Sequence, residues 1–201
     1  MLFRSARNDS PWGAILAGAD WLHLSGVTPA LGPECATSAV RAAQAAADAG
    51  VAVSFDGNYR SQLWSLWPSD PPEILGQIMK QAEIAFIDDR DIALVLRCEF
   101  KEQDADRRRH QAAEAAFAAF PKLQRIASLV RTSLSATSFS LSAVMFTRSA
   151  KHFARQFELA AVVDRIGTGD AFAAGVLHSV ISGAGDAAAV DRKSTRLNSS
   201  H

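Results

Sequence analysis

The chain has 201 residues, 48% of them hydrophobic and 21% charged, which is enough apolar matter for a sizeable core and argues against global disorder. Its 21 Lys and Arg balance its 21 Asp and Glu, so no surplus of positive charge exists to drive binding to nucleic acid or an anionic membrane. No apolar run approaches a bilayer span, no basic-then-apolar leader opens the chain, and Cys35 and Cys98 are too few for a disulfide framework or a structural zinc site. A cytoplasmic protein without membrane or nucleic-acid partners is expected.

Apolar bursts alternate with helical patterns along the chain. Residues 19–24 predict a short strand ending at Ser25-Gly26. Residues 33–49 predict a helix with Pro33 in its first turn and Gly50 as its stop. Residues 51–55 predict a second strand, followed by the polar turn Asp56-Gly57-Asn58. Pro71 and Pro72 open a helix running to about Gln81. A third strand is expected over 84–87, a short helix over 89–96, and a long helix over 104–120 stopped at Pro121. Residues 126–130 predict a fourth strand. Residues 141–146 and 152–159 read as antiparallel strands with a turn near Arg148-Ser149, and a helix follows over 169–182. Strand–helix–strand units of this length predict a three-layer α/β core, a mostly parallel sheet between helices, in one domain with no internal repeat.

The two ends stand apart from this pattern. Residues 193–201 have no apolar period and resemble translated sequencing-adapter sequence, as does the stretch from Leu2 to Ser5. Residues 1–5 and 193–201 are therefore expected to be non-native ends around a partial domain over 6–192.

The segment with chemical content is Val163-Asp164-Arg165-Ile166-Gly167-Thr168-Gly169-Asp170-Ala171-Phe172-Ala173-Ala174-Gly175. Two glycines flank Thr168 just before a helix, so the chain can turn tightly and aim backbone N–H groups at an anion. Asp170 would repel an anion, and makes sense there if it takes a proton from a hydroxyl while a phosphoryl group sits on those N–H groups. The bland alternative is that Asp170 caps the helix and the glycines only make the turn.

This segment resembles the C-terminal signature of the PfkB-type, ribokinase-like carbohydrate kinases, with the Asp, both glycines, Phe172 and Gly175 in place. The resemblance implies a ribokinase-like fold with Asp170 as the general base for the acceptor hydroxyl. It makes the backbone N–H groups of Gly167, Thr168 and Gly169 the anion hole. ATP would be the phosphoryl donor, with Mg2+ bridging its phosphates. Thr168 stands where the family often has Ala.

Val53-Ser54-Phe55-Asp56-Gly57-Asn58-Tyr59-Arg60-Ser61-Gln62-Leu63-Trp64 resembles the Asp-x-Asn-x-Arg…Leu-Trp stretch of 2-keto-3-deoxygluconate kinases in the same superfamily. This makes Asn58 and Arg60 candidate substrate-binding residues, Arg60 for a carboxylate or phosphoryl group. Trp64 is expected simply to pack. Asp20-Trp21-Leu22-His23-Leu24-Ser25-Gly26 matches the family strand that ends in Ser-Gly beside the site, with His23 a packed residue rather than a ligand. Arg131, at a strand end followed by hydroxyl residues, is a candidate for the nucleotide phosphates. Asp88 and Asp91 occupy the place of the family's Asn-x-x-Glu motif. There they help place metal indirectly, or Asp88 or Asp89 caps the helix instead.

Arg107-Arg108-Arg109 lies among Glu102, Asp104 and Asp106 and reads as a solvated helix face. His110, His152 and His178 have no metal-ligand spacing, and the cysteines are expected to be small buried hydrophobes. The resemblance covers roughly residues 18–190. It implies a small-molecule acid sugar and ATP as partners, a homo-oligomeric whole protein, and missing portions at both ends: an N-terminal lid and C-terminal helices. The 201-residue chain is accordingly expected to have little or no kinase activity. The competing readings are another superfamily kinase acting on ribose or fructose, a non-catalytic sugar- or nucleotide-binding module, and a structural α/β fragment with no ligand.

Overall fold

The computed structural model describes residues 12–133, 138–160 and 167–196. They fall into two compact units, one up to Arg125 and one from Ile126.

In the first unit, β1 (Trp21–Ser25), β2 (Ala52–Asp56) and β3 (Ile84–Phe86) run parallel. The register puts Leu24 beside Phe55 and Phe55 beside Ala85, so Ser25, Asp56 and Phe86 end the three strands at one level. Between them lie α1 (Trp12–Ile15), α2 (Val27–Ala30), α3 (Pro33–Asp48), α4 (Ser61–Trp64) and α5 (Pro71–Met79). After β3 come α6 (Asp89–Leu96) and α7 (Ala105–Ala119). The short helices α1 and α2 had no counterpart in the sequence reading, because four residues carry no helical period, whereas α4 follows Arg60, where the sequence reads as the start of a helix.

The buried face of α3 is made of Ala36, Ala39, Ala42, Ala43 and Ala46, at helical spacing. Side chains this small let the helix axis come close to the backbones of β1 and β2, both of which it touches. Gly50 then ends the helix with φ 71°, a conformation costly for residues with a β-carbon. All of β3 is buried, the mark of a strand covered on both faces. Ile78, Met79 and Ile92 are fully enclosed where α5 and α6 bring their apolar faces inward.

Two expectations about burial are corrected here. His23 is exposed, not packed away: its Nδ1 lies 2.9 Å from Ser54 Oγ, its register partner, and its ring edge meets Phe86. Cys98 is exposed and Cys35 half-buried, since each lies on a helix flank or end rather than in the core. Trp64 does pack: it is 3% exposed against the Trp67 ring. Arg108 and Arg109 of the arginine run pair with Asp89 and Asp106 at 2.6 and 2.8 Å.

The second unit contains all but the first residue of β4 (Arg125–Ser133), together with β5 (Ser138–Thr147), β6 (Lys151–Phe153), β7 (Phe157–Ala160), α8 (Thr168–Ile181) and α9 (Asp186–Arg196). β5 pairs antiparallel with both β6 and β7. The expected single strand over 152–159 is broken because the pairing register shifts by one residue between Val144↔Phe153 and Leu141↔Phe157. Residues 154–156 absorb the extra residue as a bulge, with Ala154 N–H on Ala143 O and Ser142 Oγ on Ala154 O. Asp191 of α9 holds this bulge through the Arg155 N–H and guanidinium, at 3.1 and 3.3 Å. Helix α9 continues through Lys193 to Arg196, where the sequence had suggested no regular structure. Among the described residues, no helix is long and apolar enough to cross a membrane.

Candidate functional site

In the first unit the candidate residues gather where β1, β2 and β3 end. In open parallel sheets this edge is the one available to ligands, because the chain leaves each strand there into a turn. Gly26 donates its N–H to Asp56 O at 2.7 Å, and Gly57 donates to Phe86 O at 3.0 Å, so hydrogen bonding between the strands runs on into the turns. Contact is closer still at Gly26, where a β-carbon would fall 1.9 Å from Gly57 O.

Asn58 follows with φ 37°, a left-handed conformation that Asn tolerates better than most residues. Its Nδ2 donates to Ser25 Oγ at 3.4 Å, tying the second turn to the end of β1. Arg60 sits at the start of α4 with an exposed guanidinium that reaches only the carbonyl of Tyr59, at 3.3 Å, among the described residues. A cation without a carboxylate partner, two residues from a fixed amide, is suited to an anionic, hydroxylated ligand. The sequence motif singled out both residues. The part of Ser25 escaped it, because the contact joins positions 33 apart in sequence.

Asp88 and Asp91 form a capping box on α6. Asp88 Oδ1 accepts from the N–H groups of Arg90 and Asp91 at 2.8 and 3.0 Å, and Asp91 Oδ2 accepts from Asp88 N–H at 3.2 Å. Asp91 also lies beneath Gly57. Its pKa is pushed up to about 6, first by burial and then by the negative charge of Asp88, with smaller contributions from Asp56 and Asp89. With these oxygens committed to the helix N-terminus, the pair does not fit direct coordination of a metal. Among the described residues no three His, Cys, Asp or Glu side chains are arranged to hold one.

In the second unit, Gly167 is the N-cap of α8 with φ 77°, a residue with no side chain to cap the helix itself. Thr168, Gly169 and Asp170 form its first turn, where backbone N–H groups have no acceptor inside the helix. Asp170 therefore occupies the third helical position rather than the cap, and its side chain is exposed. The capping alternative is not what the geometry shows. A carboxylate and a set of N–H donors share one helix end, an arrangement fit for a phosphate group beside a proton acceptor. Phe172 and Gly175 are buried on the inner side of α8. Arg131 is exposed near the end of β4. Asp164, Arg165 and Ile166 of the motif, the hydroxyl residues after Ser133, and the end segments 1–5 and 197–201 lie outside the described residues.

The model of the pfkB family carbohydrate kinases matches residues 2–192. A 2-dehydro-3-deoxygalactonokinase of Haloferax volcanii is 31% identical over 183 residues, which is 89% of this chain and 50% of that protein. The crystal structure of 2-dehydro-3-deoxygluconokinase from Thermotoga maritima matches with TM-score 0.81 and 29% identity, over 93% of this chain and 56% of that one. A fructokinase with bound ATP from Xylella fastidiosa shares the fold at TM-score 0.61 and 22% identity, over 88% of this chain and 49% of that one. The chain thus spans about half the length of the relatives it matches.

Proposed function

The chain belongs to the pfkB family of carbohydrate kinases, and from that premise we propose that the whole protein phosphorylates a 2-keto-3-deoxy sugar acid of the 2-keto-3-deoxygluconate type. The observation that carries this reading is Asp170, exposed and uncapping, in the first turn of α8 behind a left-handed Gly167.

Asp170 accepts the proton of the sugar hydroxyl as its oxygen attacks phosphorus. The N–H groups of Gly167, Thr168 and Gly169 take up the negative charge that builds on the phosphoryl oxygens. ATP supplies that phosphoryl group when bound, and the first turn of α8 fits its anionic end. Arg60 pairs with the sugar carboxylate, Asn58 with a sugar hydroxyl, and Arg131 with nucleotide phosphate. Asp88 and Asp91 act indirectly, by fixing the start of α6 next to the β2 turn. Magnesium, if carried in with the nucleotide, is not assigned a protein ligand.

The test is phosphoryl transfer by the whole protein with Asp170→Asn and Arg60→Ala. Asp170→Asn is expected to lower kcat by about 10²–10⁴-fold, the range for removal of a general base. Arg60→Ala is expected to raise KM for the acid sugar while leaving ATP and neutral sugars unaffected. Unchanged turnover in Asp170→Asn would reject the catalytic reading in favour of a binding module. Equal losses for ribose, fructose and acid sugars in Arg60→Ala would reject the acid-sugar assignment.

A further inference from the structure

The end of β1 holds a second specificity element. Ser25 Oγ accepts a hydrogen bond from the backbone N–H of Val27 at 3.3 Å and another from Asn58 Nδ2 at 3.4 Å. A serine hydroxyl has two acceptor positions and one proton. Both acceptor positions are taken, so Ser25 has only its proton left to offer, and no acceptor for it is recorded among the described residues. The same bond decides the orientation of Asn58. With Nδ2 turned to Ser25, the free end of the amide is Oδ1, an acceptor.

We infer that Ser25 and Asn58 together form a matched donor–acceptor pair for one hydroxyl group of the substrate. The Ser25 O–H donates to the hydroxyl oxygen, and Asn58 Oδ1 accepts the hydroxyl proton. A hydroxyl satisfies both partners at once, whereas a carboxylate would face Asn58 Oδ1 with nothing to donate, and a methylene would leave both polar groups unpaired.

The surrounding backbone holds the pair in place. Gly26 and Gly57 meet too closely for a β-carbon, Gly57 is bonded on its other side to Phe86 O, and Asn58 has little freedom to turn away. With Arg60 two residues on, the loop is complementary to a carboxylate and a hydroxyl on one small molecule. The inference rests on the acid-sugar reading above for the identity of that molecule.

Two measurements separate the inference from that reading, the first on this chain and the second on the whole protein. In Ser25→Ala, nuclear magnetic resonance of the Asn58 side-chain amide should show a shifted, exchange-broadened signal, and Ser25→Thr should restore it. An unchanged Asn58 signal in Ser25→Ala overturns the inference whatever the substrate. Calorimetric titration with 2-keto-3-deoxygluconate should then give a Kd raised by about three- to tenfold in Ser25→Ala and restored in Ser25→Thr, the size of one lost neutral hydrogen bond. Equal affinity in wild type and Ser25→Ala overturns the hydroxyl pair but leaves the acid-sugar reading standing. Absence of sugar binding by the wild type overturns the substrate assignment, and with it the substrate-facing half of the inference, while the amide signal still decides whether Ser25 orients Asn58.

Discussion

Gly26 and Gly57, 31 positions apart, touch backbone to backbone: a β-carbon on Gly26 would sit 1.9 Å from the carbonyl oxygen of Gly57. The obstruction is main chain, so no change of side-chain rotamer can relieve it. The two turns can be this close only because β1 and β2 are in parallel register up to Ser25 and Asp56.

Gly26→Ala is therefore expected to destabilise the chain by about 1–3 kcal/mol or more, the usual cost of forcing atoms into filled space. Urea denaturation measures it. Gly13, which among the described residues has nothing within 4 Å of a β-carbon, supplies the control, and Gly13→Ala should change the midpoint little.

Asp91 gives the stability a pH dependence of definite sign. Its carboxyl has a pKa of about 6 in the folded chain against an ordinary value of 3.8, so the folded state holds the proton more tightly than the unfolded state. Its contribution is fully present below the ordinary value and is lost as the pH rises through about 6. Asp91→Asn keeps an oxygen for the Asp88 N–H without the buried charge. The variant should be more stable than wild type at pH 7.5, on the order of 1 kcal/mol, with the difference vanishing near pH 4. Denaturation midpoints at the two pH values decide this, and a variant less stable at both would reject it.

Asp88 is the other half of the capping box. Asp88→Ala leaves the N–H groups of Arg90 and Asp91 without their acceptor and should cost about 1 kcal/mol, whereas Asp88→Asn should cost less. Faster amide hydrogen exchange at Arg90 and Asp91 in Asp88→Ala, with α7 unaffected, is the expected signature.

Among the described residues nothing lies within 4 Å of a β-carbon built on Gly167, but its backbone is left-handed, and that conformation limits substitution there. Gly167→Ala should destabilise by about 1–2 kcal/mol and Gly167→Asn by less, since Asn enters that region more readily. Denaturation of the two variants side by side checks the order. Equal penalties would mean that space, not φ, governs the position.

The mixed α/β class was legible because its signals are local. A Pro33 start and Gly50 stop bracket α3 to within a residue, and Asp88 followed by Asp91 marks the first residue of α6. The short helices α1 and α2 were not legible, because one turn has no period to detect. The bulge at 154–156 was hidden too, since a register shift of one residue exists only relative to β5. His23 was misjudged because a strand position says that two neighbours alternate faces, not which face another layer covers.

The sequence by itself determined the family, the glycine turn with Asp170 beside it, and the Asn58 and Arg60 motif. These are contiguous patterns, and the chemistry each can perform follows from residue types and spacing. Only the tertiary structure decided that Asp170 stands at the third position of α8 instead of capping it, and that Asp88 and Asp91 form a reciprocal capping box on α6. It also decided that Ser25 directs the amide of Asn58. The physical reason is one of range. Hydrogen-bond partners at the ends of parallel strands are brought together by sheet register across 30 or more residues, and no local period records which carbonyl, hydroxyl or carboxylate will be opposite.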